Sequence, residues 1–282
     1  MNVASTTHSD DRQRLGGSGW GPDRKRGAVS FTFDNLGEAA DLEFGTWPKD
    51  TPVGSHYTVV KVVPELLRRI KGMAATFFTE AWNAETYPDT LRAMVAHGHE
   101  VGIHGWRHEI WSRLDNGSQT SILNRCVTAM QRIGLTPRGF RPPGGAGSPN
   151  VSTLLRQNGL IYVSEVGETD AIDDGIVRLP FAWRGVDGVF LQPELGKALG
   201  LSTGEDGSAT GVDAVLENFS TAILNARQNG GHAILIFHPW LLGQDPQRIE
   251  ALMTLVNLAL SDNELWVASC GQVAEWLLAD AT

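Results

Sequence analysis

Cysteine is nearly absent. Cys126 and Cys270 are the only two in 282 residues, far apart and with no C-x-x-C partner. Neither a disulfide framework nor a thiolate zinc site can be assembled from such a pair, and two buried thiols are the default reading. No apolar run approaches the roughly 18 residues that a membrane helix requires. The opening stretch, MNVASTTHSDDRQRLGGSGWGPDRKRG, lacks the hydrophobic segment of a secretory signal. The expectation is a cytoplasmic protein with no membrane partner. Basic charge is also in short supply, with 23 Lys and Arg against 32 Asp and Glu for a net charge of −9. No basic stripe alternates with aromatics, which argues against a nucleic-acid partner. Low-complexity sequence and repeats of roughly 20–50 residues are missing too. What remains, 41% hydrophobic and 20% charged residues, is ordinary globular composition.

Residues 1–26 are polar and Gly/Ser-rich with no period of 2 or 3.6, and are expected to form a flexible N-terminal segment. From residue 27 onward, strand-like runs alternate with helical patterns. Ala28–Phe33, Ala74–Thr79, Glu100–Ile103, Gly139–Arg141, Leu160–Val163, Ile176–Leu179, Val189–Leu191, Ala233–Phe237 and Leu265–Ala268 read as strands. Val59–Ile70, Thr86–Ala96, Ser118–Ile133, Asn150–Gln157, Val212–Gln228, Pro246–Leu260 and Gln272–Leu278 read as helices. Strand–helix alternation predicts an α/β fold with a parallel sheet. The economical form is one (β/α) barrel-like domain spanning 27–282.

Barrels of this kind place their chemistry at the C-terminal ends of the strands. Asp34 and Asn35 follow Phe33, and His104-Gly-Trp-Arg-His108 follows Ile103. Arg141-Pro-Pro-Gly-Gly145 follows Phe140, and His238-Pro-Trp240 follows Phe237. His104 and His108, four apart, can aim two imidazoles at one cation. Each feature also has a plain structural reading: the His pair as core or surface residues, Asp34 as a turn residue, Arg141 as a surface cation, His238 as a buried hydrogen-bonded side chain. Their occurrence at four strand ends shifts the balance toward a site. Trp106, Trp111, Trp183 and Trp240 flank these motifs and either line a stacking pocket or pack the barrel mouth.

Together, FTFDN at Phe31–Asn35, HGWRH at His104–His108, RPPGG at Arg141–Gly145 and IFHPW at Ile236–Trp240 resemble, in order, the motifs of the polysaccharide deacetylase (NodB-homology, carbohydrate esterase family 4) superfamily. The end of the chain is most similar to its cytoplasmic, allantoinase-like and peptidoglycan-deacetylase-like branch. The resemblance implies a distorted (β/α) barrel of about seven parallel strands. It implies Asp34 as general base, Arg141 as the partner that aims it, and His238 as general acid. Gly144 would supply a backbone N–H toward the developing oxyanion. Asp187, in a looser match to the fourth motif, would be the orienting carboxylate. Trp106, Trp183 and Trp240 would contact substrate. His104 and His108 would hold a divalent metal, Zn²⁺ in first instance, with Asn35 in the third ligand position.

Asn35 is the departure, since the superfamily's metal-dependent members carry Asp there. A neutral amide oxygen removes one negative charge and weakens the expected site. Three readings stay open: a weakened metal site, a metal-free hydrolase, or a protein without hydrolytic activity. The last accords poorly with retention of Asp34, His104, His108, Arg141 and His238. The function implied is hydrolysis of an amide C–N bond, by N-deacetylation of an amino sugar or small metabolite. Alternatives are a cyclic amide or ureide hydrolase and a non-catalytic ligand-binding barrel. A small-molecule or saccharide substrate and a homo-oligomer are the partners such relatives imply.

Overall fold

The computed structural model describes residues 19–201 and 211–281. Its centre is a curled nine-stranded sheet in the order β6-β7-β5-β4-β3-β2-β1-β8, with β9 added against β1. The strands are β1 (Gly27–Asp34), β2 (Thr76–Thr79), β3 (Glu100–Ile103), β4 (Gly139–Phe140), β5 (Tyr162–Val163), β6 (Ala171–Asp173), β7 (Ile176–Arg178), β8 (His232–Phe237) and β9 (Leu265–Val267). All pairings are parallel except β6 with β7. β1 is buried along its whole length, as a strand covered on both faces must be. One edge of β1 pairs with β8. The other is shared, its C-terminal half with β2 and its N-terminal half with β9. Two isolated parallel bridges lie outside the named strands: Val166 with Phe181 continues the β5–β7 pairing, and Val186 with Ile236 links the segment after β7 to β8.

Helices cover the outside. The longest, Asn116–Arg132 and Val212–Asn229, bury Leu123, Cys126 and Met130 and Phe219, Ile223 and Ala226, residues spaced three or four apart. The final helix starts two residues before the sequence pattern suggests, at Cys270. Ser269 and Gln272 form a reciprocal capping box that satisfies its first N–H groups. Cys126 and Cys270 are both buried and free.

Three sequence expectations need correction. Val189–Leu191 is not a strand but part of the short helix Asp187–Leu191; a brief apolar run has no readable period. The Thr86–Ala96 helix is two, Asn83–Thr86 and Pro88–Ala96, broken at Tyr87 because Pro88 disfavours helical geometry in the residue before it. Of residues 1–26, expected to be flexible, 1–18 lie outside those described, whereas Arg26 at the far end is tied to the barrel by its N–H to the Glu264 carbonyl. Trp20 is buried, donates from Nε1 to the Gly230 carbonyl (2.7 Å) and packs 5.6 Å from Trp276. Among the described residues, no helix is long and apolar enough to cross a membrane.

Candidate active site

The period-two geometry of β1 puts Ser30, Thr32 and Asp34 on one face, toward the barrel interior. Arg141, one residue beyond β4, reaches this face and is 1% exposed. One of its terminal nitrogens donates to Asp34 Oδ1 (2.7 Å) and Thr32 Oγ1 (2.8 Å), and the other donates to Ser164 Oγ (2.9 Å). The guanidinium carbon lies 4.1 Å from the centre of the Phe78 ring. A buried charge held this way meets its compensating charge and its hydrogen-bond partners together, which is what makes its burial tolerable.

His104 continues directly from β3. Its Nδ1 lies 2.8 Å from the Arg141 carbonyl oxygen. A carbonyl only accepts, so Nδ1 carries the proton and Nε2 keeps its lone pair. The His108 ring centre is 4.8 Å from that of His104. Burial first, then neighbouring positive charge, pushes both imidazoles down, each to about 3. Both rings are therefore neutral near pH 7, the state in which imidazole binds metal. His108 and Asn35 both have left-handed backbones, with φ of 83° and 64°. For residues other than glycine this is uncommon and clusters at functional sites. His108 Nδ1 and Asn35 Oδ1 are buried without a hydrogen-bond partner.

Two lone-pair imidazole nitrogens and an unpartnered amide oxygen fit a divalent cation. The set carries no formal charge, and the described residues contain no group of three His, Cys, Asp or Glu side chains able to hold a metal. A carboxylate in place of Asn35 would give the set one negative charge.

His238 begins the loop after β8. Asp187 is fully buried and receives two bonds from it, Nδ1–H to Oδ1 (2.6 Å) and the backbone N–H to Oδ2 (2.9 Å). Burial alone would disfavour the imidazolium, but the charge and hydrogen bond of Asp187, with Asp34 behind, raise the His238 pKa above its ordinary value. The histidine therefore holds its proton more readily than a free imidazole.

Asp34, Asn35, His104, His108, Arg141, Gly144, Trp183, His238 and Trp240 line one cleft of about 230 Å³. Asp187 stands behind it and acts through His238. Gly144 (φ 82°) sits in a turn closed by a bond from the Gly145 N–H to the Pro142 carbonyl, and is exposed at the cleft. Trp106 is a correction. It is absent from the cleft lining, 4% exposed, with the Arg125 guanidinium 3.5 Å above its ring. Trp111 is fully buried against Phe140. Ser164 and Glu80 were missed, although each directly follows a strand, β5 and β2, in the same position relative to the sheet as His104 and Arg141.

A family model described as polysaccharide deacetylase matches residues 22–163. That stretch holds Asp34, Asn35, His104, His108 and Arg141 but not Asp187 or His238. The peptidoglycan deacetylase-like protein FGM2 of Gibberella zeae is 33% identical over 97 residues, 34% of this chain and 29% of that protein. The chain spans about a third of the length of these curated relatives, among them two chitin deacetylases of Saccharomyces cerevisiae. Among solved structures, a Mycobacterium smegmatis protein ascribed to the polysaccharide deacetylases superposes with a TM-score of 0.77 at 28% identity, covering 93% of both chains. The PuuE allantoinase superposes with a TM-score of 0.72 at 21% identity, over 96% of this chain and 98% of its own, a likeness of fold.

Proposed function

Because the chain belongs to the polysaccharide deacetylase family, we propose that it hydrolyses an amide C–N bond, releasing the acyl group of an N-acylated amino sugar or small metabolite. The observation that carries this reading is the meeting of two proton-handling pairs in one cleft, at the ends of the neighbouring strands β1 and β8. Asp34 is compensated by Arg141, and His238 is backed by Asp187.

Asp34 accepts the proton of the attacking water. Arg141 balances its charge and, through Thr32 and Ser164, fixes the direction of its carboxylate. His238, held protonated at Nδ1 by Asp187, donates from Nε2 to the departing amine, so the amine leaves neutral. The Gly144 N–H, exposed at the cleft, would meet the oxyanion. Trp183 and Trp240 give apolar walls to a cleft of about 230 Å³. That volume admits one ring-sized unit, which favours a small substrate or the terminal unit of a chain. His104, His108 and Asn35 would hold a divalent cation, Zn²⁺ by the preference of imidazole, which supplies Lewis acidity toward water and the amide carbonyl.

The test is acetate release from a panel of N-acetyl amino sugars and N-acetyl metabolites, together with ring opening of cyclic ureides to ureido acids, with metal content determined on the same protein. Acetate release that is lost in His238→Ala supports the proposal. Turnover of ureides alone moves the activity to ring opening. Tight binding of a panel member without turnover makes the cleft a binding site.

A further inference from the structure

Asn35 keeps a left-handed backbone although it is not glycine, and Gly37 two residues on is left-handed as well (φ 68°). Such a turn needs external support. That support comes from the end of β2. Glu80 Oε2 accepts the Leu36 N–H (2.9 Å), and Asn83 Nδ2 donates to the Leu36 carbonyl (2.9 Å) and approaches the same Glu80 oxygen (3.3 Å). Both side chains are fully buried, and Leu36 is 2% exposed. Both polar atoms of Leu36 are therefore held by side chains rather than by a neighbouring strand.

This is a costly way to close a turn. Among the described residues Glu80 has no cation in hydrogen-bond range, and its second oxygen, Oε1, has no partner. Desolvation, with Asp34 and Glu109 adding to it, pushes its carboxyl up to about 8. An apolar residue would fill the space at less cost, but would leave the Leu36 N–H unpaired and the turn after Asp34 without its anchor.

We propose that Glu80 and Asn83 are positioning residues, which hold the backbone of Leu36 so that Asn35 is kept left-handed with its amide oxygen presented to His104 and His108. The inference rests on the cation-holding role proposed for those three residues. Glu80 and Asn83 touch neither substrate nor reacting atoms and act through the main chain.

The test compares Glu80→Gln, which keeps an oxygen to accept the Leu36 N–H, with Glu80→Leu and Asn83→Ala. Two quantities are read on the metal-free full chain: the amide exchange rate of Leu36 relative to that of Thr32 in β1, and Zn²⁺ affinity by competition with a chromophoric chelator. Glu80→Gln should match the parent in both. Glu80→Leu and Asn83→Ala should speed Leu36 exchange at least about 10-fold and weaken Zn²⁺ binding by a similar factor, in the range seen when residues orienting metal ligands are removed. Unchanged exchange and affinity in both disruptive variants overturns the inference. Faster exchange with unchanged affinity also overturns it, since the clamp would then be structural only. Should Glu80→Leu fail to fold, Asn83→Ala against Glu80→Gln gives the same contrast. A parent that binds no Zn²⁺ refutes the cation-holding role and with it the presentation of Asn35, while Leu36 exchange still shows whether the clamp exists.

Discussion

Replacing Arg141 by Met puts the Asp34–Arg141 pair to its most direct trial. Met preserves much of the side chain's length and contact with Phe78, but strands a carboxylate that is 4% exposed. Breaking a buried ion pair from one side costs about 3–5 kcal/mol, because the remaining charge is left uncompensated. The lost guanidinium–ring contact with Phe78 adds about 0.5–2 kcal/mol. Thr32 and Ser164 lose hydrogen-bond donors as well. A total of about 3.5–7 kcal/mol is a large share of the roughly 5–15 kcal/mol typical of a domain. The urea midpoint should fall by roughly a quarter or more with its slope unchanged. Adding Asp34→Asn removes the stranded charge and should restore about 2 kcal/mol or more, a coupling that a double-mutant cycle isolates. If Arg141→Met costs less than about 1 kcal/mol, or Asp34→Asn restores nothing in its background, then charge compensation is not what Arg141 supplies.

Asp187→Asn keeps shape but removes the charge that raises the His238 pKa. Turnover should drop by about 10²–10⁴ with the alkaline limb of the pH–rate profile moved to lower pH, and an unmoved limb would refute the assignment of His238 as acid. Asn35→Asp restores a charged oxygen in a residue that also tolerates the left-handed region. Zn²⁺ affinity should rise at least about 10-fold, well within one charge–charge contact at partial burial, and no gain in a competition titration would mean that Asn35 does not face the cation. His99 is 4% exposed, neither ring nitrogen makes a well-formed hydrogen bond, and burial pushes its pKa from 6.5 down to about 4. Below pH 6.5 the unfolded chain takes up a proton that the folded one refuses, so stability falls as pH drops, by on the order of 3 kcal/mol once pH is below about 4. His99→Leu should flatten urea midpoints measured from pH 7 to pH 4 relative to the parent; parallel curves would show that His99 is not the source.

Most of the site is legible in the sequence because a parallel sheet converts position in the chain into position in space. A polar residue directly after an apolar run stands at the C-terminal rim, so Asp34, His104, Arg141 and His238 share a neighbourhood before any coordinates are known. Ser164 and Glu80 occupy equivalent positions, and the same rule could have found them. The helix breaks follow from local chemistry as well, Pro88 ending one and Ser269 with Gln272 opening another. Short apolar stretches carry less. Val189–Leu191 contains too few residues to distinguish a period of 2 from one of 3.6, and packing made it a helix.

The sequence by itself determined the α/β alternation, the strand ends and the chemical types gathered there, because these depend on periodicity and on neighbours a few residues away. Only the tertiary structure decided which tryptophans face the cleft. Trp106 and Trp240 flank motifs equally in sequence, yet one packs under Arg125 and the other lines the site. It also decided that Asp187 meets His238 across 51 residues, and that Trp20 docks on Trp276 instead of trailing in solvent. These contacts depend on how the sheet curls and where loops close, distances fixed by packing of the whole barrel rather than by any local stretch of chain.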